Sequence, residues 1–94
     1  MPSKKLENYL GLCKRSNSIV YGFDNIKDNK CYLVLIGCDC KEKLEIHIKN
    51  FCEQRKIEYK KLDKSLNDLL NTNNCSVVGI VNKNFVNPIL ECEE

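Results

Sequence analysis

Near the middle of this chain, Tyr32-Leu33-Val34-Leu35-Ile36-Gly37 forms a continuous apolar run. A run this short, with no polar residue to mark a wet face, reads as a central strand buried on both sides. Such a strand needs helices above and below it, and the flanking sequence supplies them. Leu6, Tyr9, Leu10 and Cys13 share one face of a helix over residues 4–15, as do Leu44, Ile48, Phe51 and Cys52 over residues 41–55. Ser16-Asn17 ends the first helix, and Ser18 to Tyr21 is a short strand. A short helical segment follows over residues 22–29, with Asp24 or Asn25 as its cap and Asn29 closing it in a left-handed conformation.

Beyond the long second helix, residues 57–61 alternate as a strand. Asp63 caps a helix that runs to Leu70 with Leu66, Leu69 and Leu70 inward, and Asn71-Thr72-Asn73-Asn74 is a loop of turn formers. Cys75 to Val81 is another buried strand, and residues 83–90 are a last helix. Alternation of helix and strand throughout implies a three-layer α/β/α sandwich around a mixed four-stranded sheet. At 94 residues, with no linker, repeat or low-complexity tract, the expectation is one domain spanning 1–94.

The formal net charge is only +2, so a nucleic-acid site has to come from local clustering rather than from bulk charge. Two clusters qualify: Lys14-Arg15, and the stretch Arg55-Lys56-Ile57-Glu58-Tyr59-Lys60-Lys61. The acidic tail, Glu91 to Glu94, does not suit a phosphate. The N-terminal residues lack the apolar segment of a signal peptide, and the run from Tyr32 to Cys38 is too short to cross a bilayer. The expectation is a cytoplasmic chain with reduced thiols and no membrane partner. Most of the seven cysteines fall among apolar neighbours, where a thiol behaves as a small hydrophobe. Cys38 and Cys40 lack the spacing and the second ligand pair of a zinc site, so no metal and no cofactor is expected, although Cys40 near a helix start is a candidate reactive thiol. His47 reads as a structural helical histidine. No phosphate loop, dinucleotide fingerprint or nucleophile elbow is present, and the expectation is a binding protein rather than an enzyme.

The segment Leu10-Gly11-Leu12-Cys13-Lys14-Arg15, followed by Ile19-Val20 and Gly22, resembles the bacterial YlxQ-like branch of the kink-turn RNA-binding ribosomal proteins of the L-seven-Ae type. The resemblance covers roughly residues 5–90 and implies a ribosomal L-thirty-e-like fold. It implies that Lys14 and Arg15 neutralise phosphates, with an ordinary basic helix end as the plainer alternative. In that family a glycine opens a helix whose first turn carries an Asn-Glu pair that reads the sheared G·A pairs of the kink, with a lysine one turn on. Here Gly22 and Phe23 lead into Asp24 at the Asn position and Asn25 at the Glu position, and the lysine is Lys27 or Lys30. The stretch from Gly22 to the buried strand is about one helical turn shorter than in the family, and capping is the alternative role for Asp24 and Asn25.

Two further segments continue the resemblance. Asp39, at the end of the central strand where open α/β sheets put their ligand sites, takes the place of a family aspartate near the RNA; the alternative is that it caps the following helix. Residues 64–80 are similar to the family's second RNA loop, with Asn67 and Asn71 in place of glycines. The resemblance implies that Asn71, Thr72, Asn73, Asn74 and Cys75 wall in a flipped base. Together these imply a monomeric protein binding structured RNA, a kink-turn or related internal loop, in a ribosomal or translation-linked ribonucleoprotein. A scaffold that keeps the fold without kink-turn readout is the second reading. A small-ligand or redox protein using Cys38, Asp39 and Cys40 is the third.

Overall fold

In the computed structural model, which describes residues 2–70, 72 and 75–91, the apolar run becomes the strand β2 (Leu33–Ile36), with all four residues buried. The other elements are α1 (Pro2–Arg15), β1 (Ile19–Tyr21), α2 (Phe23–Asp28), α3 (Glu42–Arg55), β3 (Glu58–Lys61), α4 (Leu66–Leu70), β4 (Val77–Ile80) and α5 (Val86–Leu90), the last preceded by a 3-10 turn at Lys83–Phe85. The sheet order is β1-β4-β2-β3. β4 is antiparallel to both β1 and β2, while β3 runs parallel to β2, so the sheet is mixed as the sequence implied.

Period-two alternation sorts the strand residues between two cores. Leu33 and Leu35 of β2 and Val78 and Ile80 of β4 join Leu6, Leu10 and Cys13 of α1 with Leu66, Leu69 and Ile89 on one face. Val34, Ile36 and Val77 join Ile26 of α2 and Ile48 and Cys52 of α3 on the other. Helices α1, α4 and α5 thus cover one face, and α2 and α3 the other. Each large side chain removed from water in this way contributes roughly 1.5–3 kcal/mol. Gly79 lets α2 come close to the sheet: a Cβ there would lie 2.6 Å from Cys31 Sγ and 3.0 Å from Ile26 Cγ1.

Two helices end as their sequences dictate. Asn17 takes a left-handed φ of 57°, and the Ser18 and Asn17 N–H groups donate to the carbonyls of Cys13 and Lys14. This is the paired bonding of a Schellman stop. Lys56 does the same for α3, its N–H and that of Ile57 donating to Glu53 and Cys52.

The shorter helices differ from expectation at their ends. Asn29 is extended (φ −121°, ψ 157°), not left-handed, because the chain turns directly toward β2. The cap of α2 is Gly22, and neither Asp24 nor Asn25 caps it. Helix α4 starts at Leu66 rather than after Asp63. Its first turn is organised by Ser65, whose carbonyl accepts from Leu69 N–H and whose Oγ accepts from Asn67 N–H. Asp39 does not cap α3, whose N-cap is Lys41 with no side-chain bond.

Candidate nucleic-acid interface

Strand register defines two ends of the sheet. Tyr21 pairs with Val78, and Ile36 with both Val77 and Lys61. One end therefore gathers Gly22, the Gly37–Asp39 segment and the start of β4. The other gathers the residues before β2 and β3 and those after β4.

At the first end, the candidate segments meet through backbone hydrogen bonds. Gly22 N–H donates to Val77 O at 3.0 Å, and Gly37 N–H to Ser76 O at 2.8 Å. Gly22 sits at φ 87°, ψ 152°, a region open essentially to glycine alone, and this bend turns β1 into α2. Asp24 projects into solvent, its side chain 97% exposed, with Lys27 Nζ 3.6 Å away. Asn25 is exposed but folded back, its Nδ2 donating to Tyr21 O at 2.7 Å. Phe23 faces the core, edge-on to Phe51 with ring centroids 5.5 Å apart.

The turn between α4 and β4 is held by Asn67, a residue that the sequence suggested only as a stand-in for glycine. Asn67 is helical and has no positive φ. Its side chain supplies the order instead: Oδ1 accepts from Cys75 N–H at 2.8 Å and from Thr72 Oγ1 at 3.4 Å, while its carbonyl accepts from Thr72 N–H. An Asn in a first helical turn, eight residues before the Cys75 N–H it accepts from, carries no local pattern that would announce this role. Cys75 packs inward, its thiol pushed up by burial. Asn71, Asn73 and Asn74 lie outside the described residues.

Asp39 is exposed and accepts from Ser65 Oγ at 3.3 Å. Together with Lys41, Leu44, Asn67 and Ser76 it lines a depression of about 350 Å³ between α3 and the α4–β4 turn. Lys14 joins this end indirectly: its Nζ donates to Leu70 O, the last carbonyl of α4, at 3.0 Å. An ammonium at a helix C-terminus is favourable there, so Lys14 has a structural partner, and both Lys14 and Arg15 are exposed.

Of the remaining candidates, Lys27 reaches Asp24 while facing the far cleft, and Lys30 is not brought to this end. Lys27 sits in the last turn of α2, and Lys30 precedes Tyr32 at the opposite end of the sheet. Both line a cleft with Arg55 and Lys56, members of the second basic cluster.

The cysteines divide by burial. Cys13, Cys31, Cys40, Cys52 and Cys75 are buried and Cys38 is exposed. Burial pushes the thiols of Cys13 and Cys52 up to about 11. It also raises Cys40, against an opposing hydrogen bond with Ser76, so the thiol nominated as reactive is instead buried and hard to ionise. Among the described residues no group of three or more His, Cys, Asp or Glu side chains is arranged to hold a metal ion, and no helix is long and apolar enough to cross a membrane.

With this geometry in place, the likeness to solved structures has a definite content. A protein of unknown function from Bacillus halodurans superposes with a TM-score of 0.84 at 17% identity, covering 94% of this chain and 95% of that one. The 15.5kD RNA binding protein of Giardia lamblia superposes with a TM-score of 0.71 at 22% identity, covering 97% of this chain and 83% of that one. The chain shares their fold over nearly its whole length. No family model matches the sequence, and no curated protein matches it.

Proposed function

We propose that this chain binds structured RNA, and that the end of the sheet formed by Gly22–Asn25, Asp39 and the α4–β4 turn is the contact surface for a kink-turn or a related internal loop. The observation that carries this reading is the hydrogen bond from Gly22 N–H to Val77 O. It joins two candidate segments more than fifty residues apart in sequence. The Giardia neighbour, named as an RNA-binding protein, supports the reading at the level of fold. In this account Arg15 meets phosphate, Lys14 fixes the end of α4 beside the turn, and Asn25 exchanges its bond to Tyr21 O for one to a base edge. No step of catalysis is assigned to the chain.

A scaffold role is the second reading, and a specific observation favours it: Asp24 directs a carboxylate into solvent where an RNA contact would sit. The two separate in a titration against a kink-turn RNA and a variant lacking the G·A pairs, at two salt concentrations. RNA readout predicts binding that needs the G·A pairs and weakens as salt rises, because neutralised phosphates release counterions. Equal weak binding to both RNAs favours the scaffold.

A further inference from the structure

The opposite end of the sheet holds a chemistry that the proposed interface lacks. Between the ends of α2 and α3 lies a cleft of about 550 Å³ lined by Lys27, Lys30, Arg55 and Lys56, with Asp28 as the one carboxylate among its lining residues. Lys27 is paired with Asp24 at 3.6 Å, which leaves Lys30, Arg55 and Lys56 against one lining carboxylate, a local concentration of positive potential in a chain of net charge +2. Three of these cations stand over aromatic rings: Lys27 4.9 Å from the Phe23 centroid, Lys30 5.7 Å from Tyr32, and Arg55 5.0 Å from Phe51. Cation–π contacts of this kind hold the Lys30 and Arg55 heads in place without neutralising them. At the end of α3 the Lys56 and Ile57 N–H groups occupy the carbonyls of Glu53 and Cys52.

Tyr32 is the second element. It precedes four fully buried residues yet is itself 37% exposed. Its ring borders this cleft and also a second one, of about 580 Å³, lined by Lys83, Asn84 and Asn87. An exposed aromatic face with cations on both sides is the arrangement that stacks an unpaired base and holds its flanking phosphates.

We infer that the two clefts form one track for a single strand of RNA. An unpaired base stacks on Tyr32, while phosphates meet Lys30, Arg55 and Lys56 on one side and Lys83 on the other. The recognised unit is a nucleotide, which a free nucleotide also offers. Two clefts sharing one ring argue for the strand. The site is independent of kink-turn readout.

The test is fluorescence anisotropy of the full chain with a short labelled oligouridine, which contains no G·A pairs, so its outcome is separate from that of the structured-RNA titration. Tyr32→Ala is expected to weaken binding roughly tenfold or more, as loss of a base–aromatic stack does, with Tyr32→Phe close to wild type. Arg55→Ala is expected to lower the salt slope of binding by about 0.7, the signature of one lost phosphate contact on a single strand. Both side chains are exposed or at the surface, and matching thermal melts establish that the variants fold. Wild-type affinity in both Tyr32→Ala and Arg55→Ala overturns the site. Uridine monophosphate competing as strongly, per molecule, as the oligomer overturns the strand.

Discussion

The two ends of the sheet are built differently. The end with Gly22, Asp39 and Asn67 is ordered by hydrogen bonds: the Asn67 amide spans the α4–β4 turn, and a glycine-only bend opens α2. Its exposed ionisable groups include two carboxylates, Asp24 and Asp39. The end with Lys30, Tyr32 and Arg55 is ordered by rings and cations, and its clefts hold charge over aromatic faces. In the proposed reading, the first is a hydrogen-bonded template for a fixed shape. The second is an electrostatic and stacking surface suited to a flexible strand. A small domain can hold both because the sheet's central strand is buried on both faces, leaving the strand ends free for recognition.

The sharpest way to break this contrast is at Gly22. Gly22→Val forces a branched residue into a glycine-only backbone region and should cost about 1–3 kcal/mol of stability, read by urea unfolding. It should also weaken structured-RNA binding more than oligouridine binding. An equal loss for both RNAs would mean that the two ends act as one site.

Asn67→Ala comes next. It leaves the Cys75 N–H without its acceptor, and an unsatisfied donor of this kind costs about 1–3 kcal/mol. Asn67→Asp keeps the acceptor oxygen and should recover most of that loss. If Ala and Asp behave alike, the amide is not what orders the turn.

Thiol chemistry offers a milder probe of the first end. In a chain carrying Cys92→Ser, alkylation under native conditions should modify Cys38, the exposed cysteine, well before the five buried ones. Mass mapping that finds Cys40 labelled as fast as Cys38 would show that the 37–40 corner opens in solution.

The smallest expected effect lies in the Lys49–Glu45–Lys61 cluster that ties α3 to the last residue of β3, with contacts of 3.0 and 2.9 Å. Hydrogen bonds from Lys61 and Lys49 hold the Glu45 carboxyl below its ordinary value of 4.5. The stabilisation is therefore complete above pH 4.5 and is lost as pH falls through the lower folded-state value. Glu45→Gln should flatten the acid side of the stability profile slightly and leave the oligouridine affinity unchanged.

Most of the fold was legible because it rests on periodicity. The apolar run gave β2, and the helical spacing of Leu44, Ile48, Phe51 and Cys52 gave the buried face of α3. The misreadings lie at helix ends, where one hydrogen bond decides. Asp63 had the right residue type for a cap, but Ser65 has the position. Asn29 had the right type for a left-handed stop, but the short link to β2 keeps it extended.

The candidate site was legible in part. That Gly22 and the α4–β4 turn lie together was implied by the family resemblance alone, since no strand order could be read from the residues. That Lys30 leaves this end follows from the direction of α2, which carries the chain from Gly22 back toward Tyr32, and a linear motif does not encode that direction. Arg55 and Lys56 stood out as a basic cluster, but Tyr32, which lines the same cleft, did not, because a tyrosine beginning an apolar run gives no sign that its ring lies outside the core.

The most direct test of the account is an amide chemical-shift map of the labelled chain with a kink-turn RNA, first with blunt ends and then with a single-stranded extension. The account predicts that the blunt RNA perturbs Gly22–Asn25, Asp39, Thr72 and Cys75–Ser76, and that the extension adds Lys30–Tyr32, Arg55–Ile57 and Lys83. Perturbation of the same residues by both RNAs, or of neither set, would contradict it.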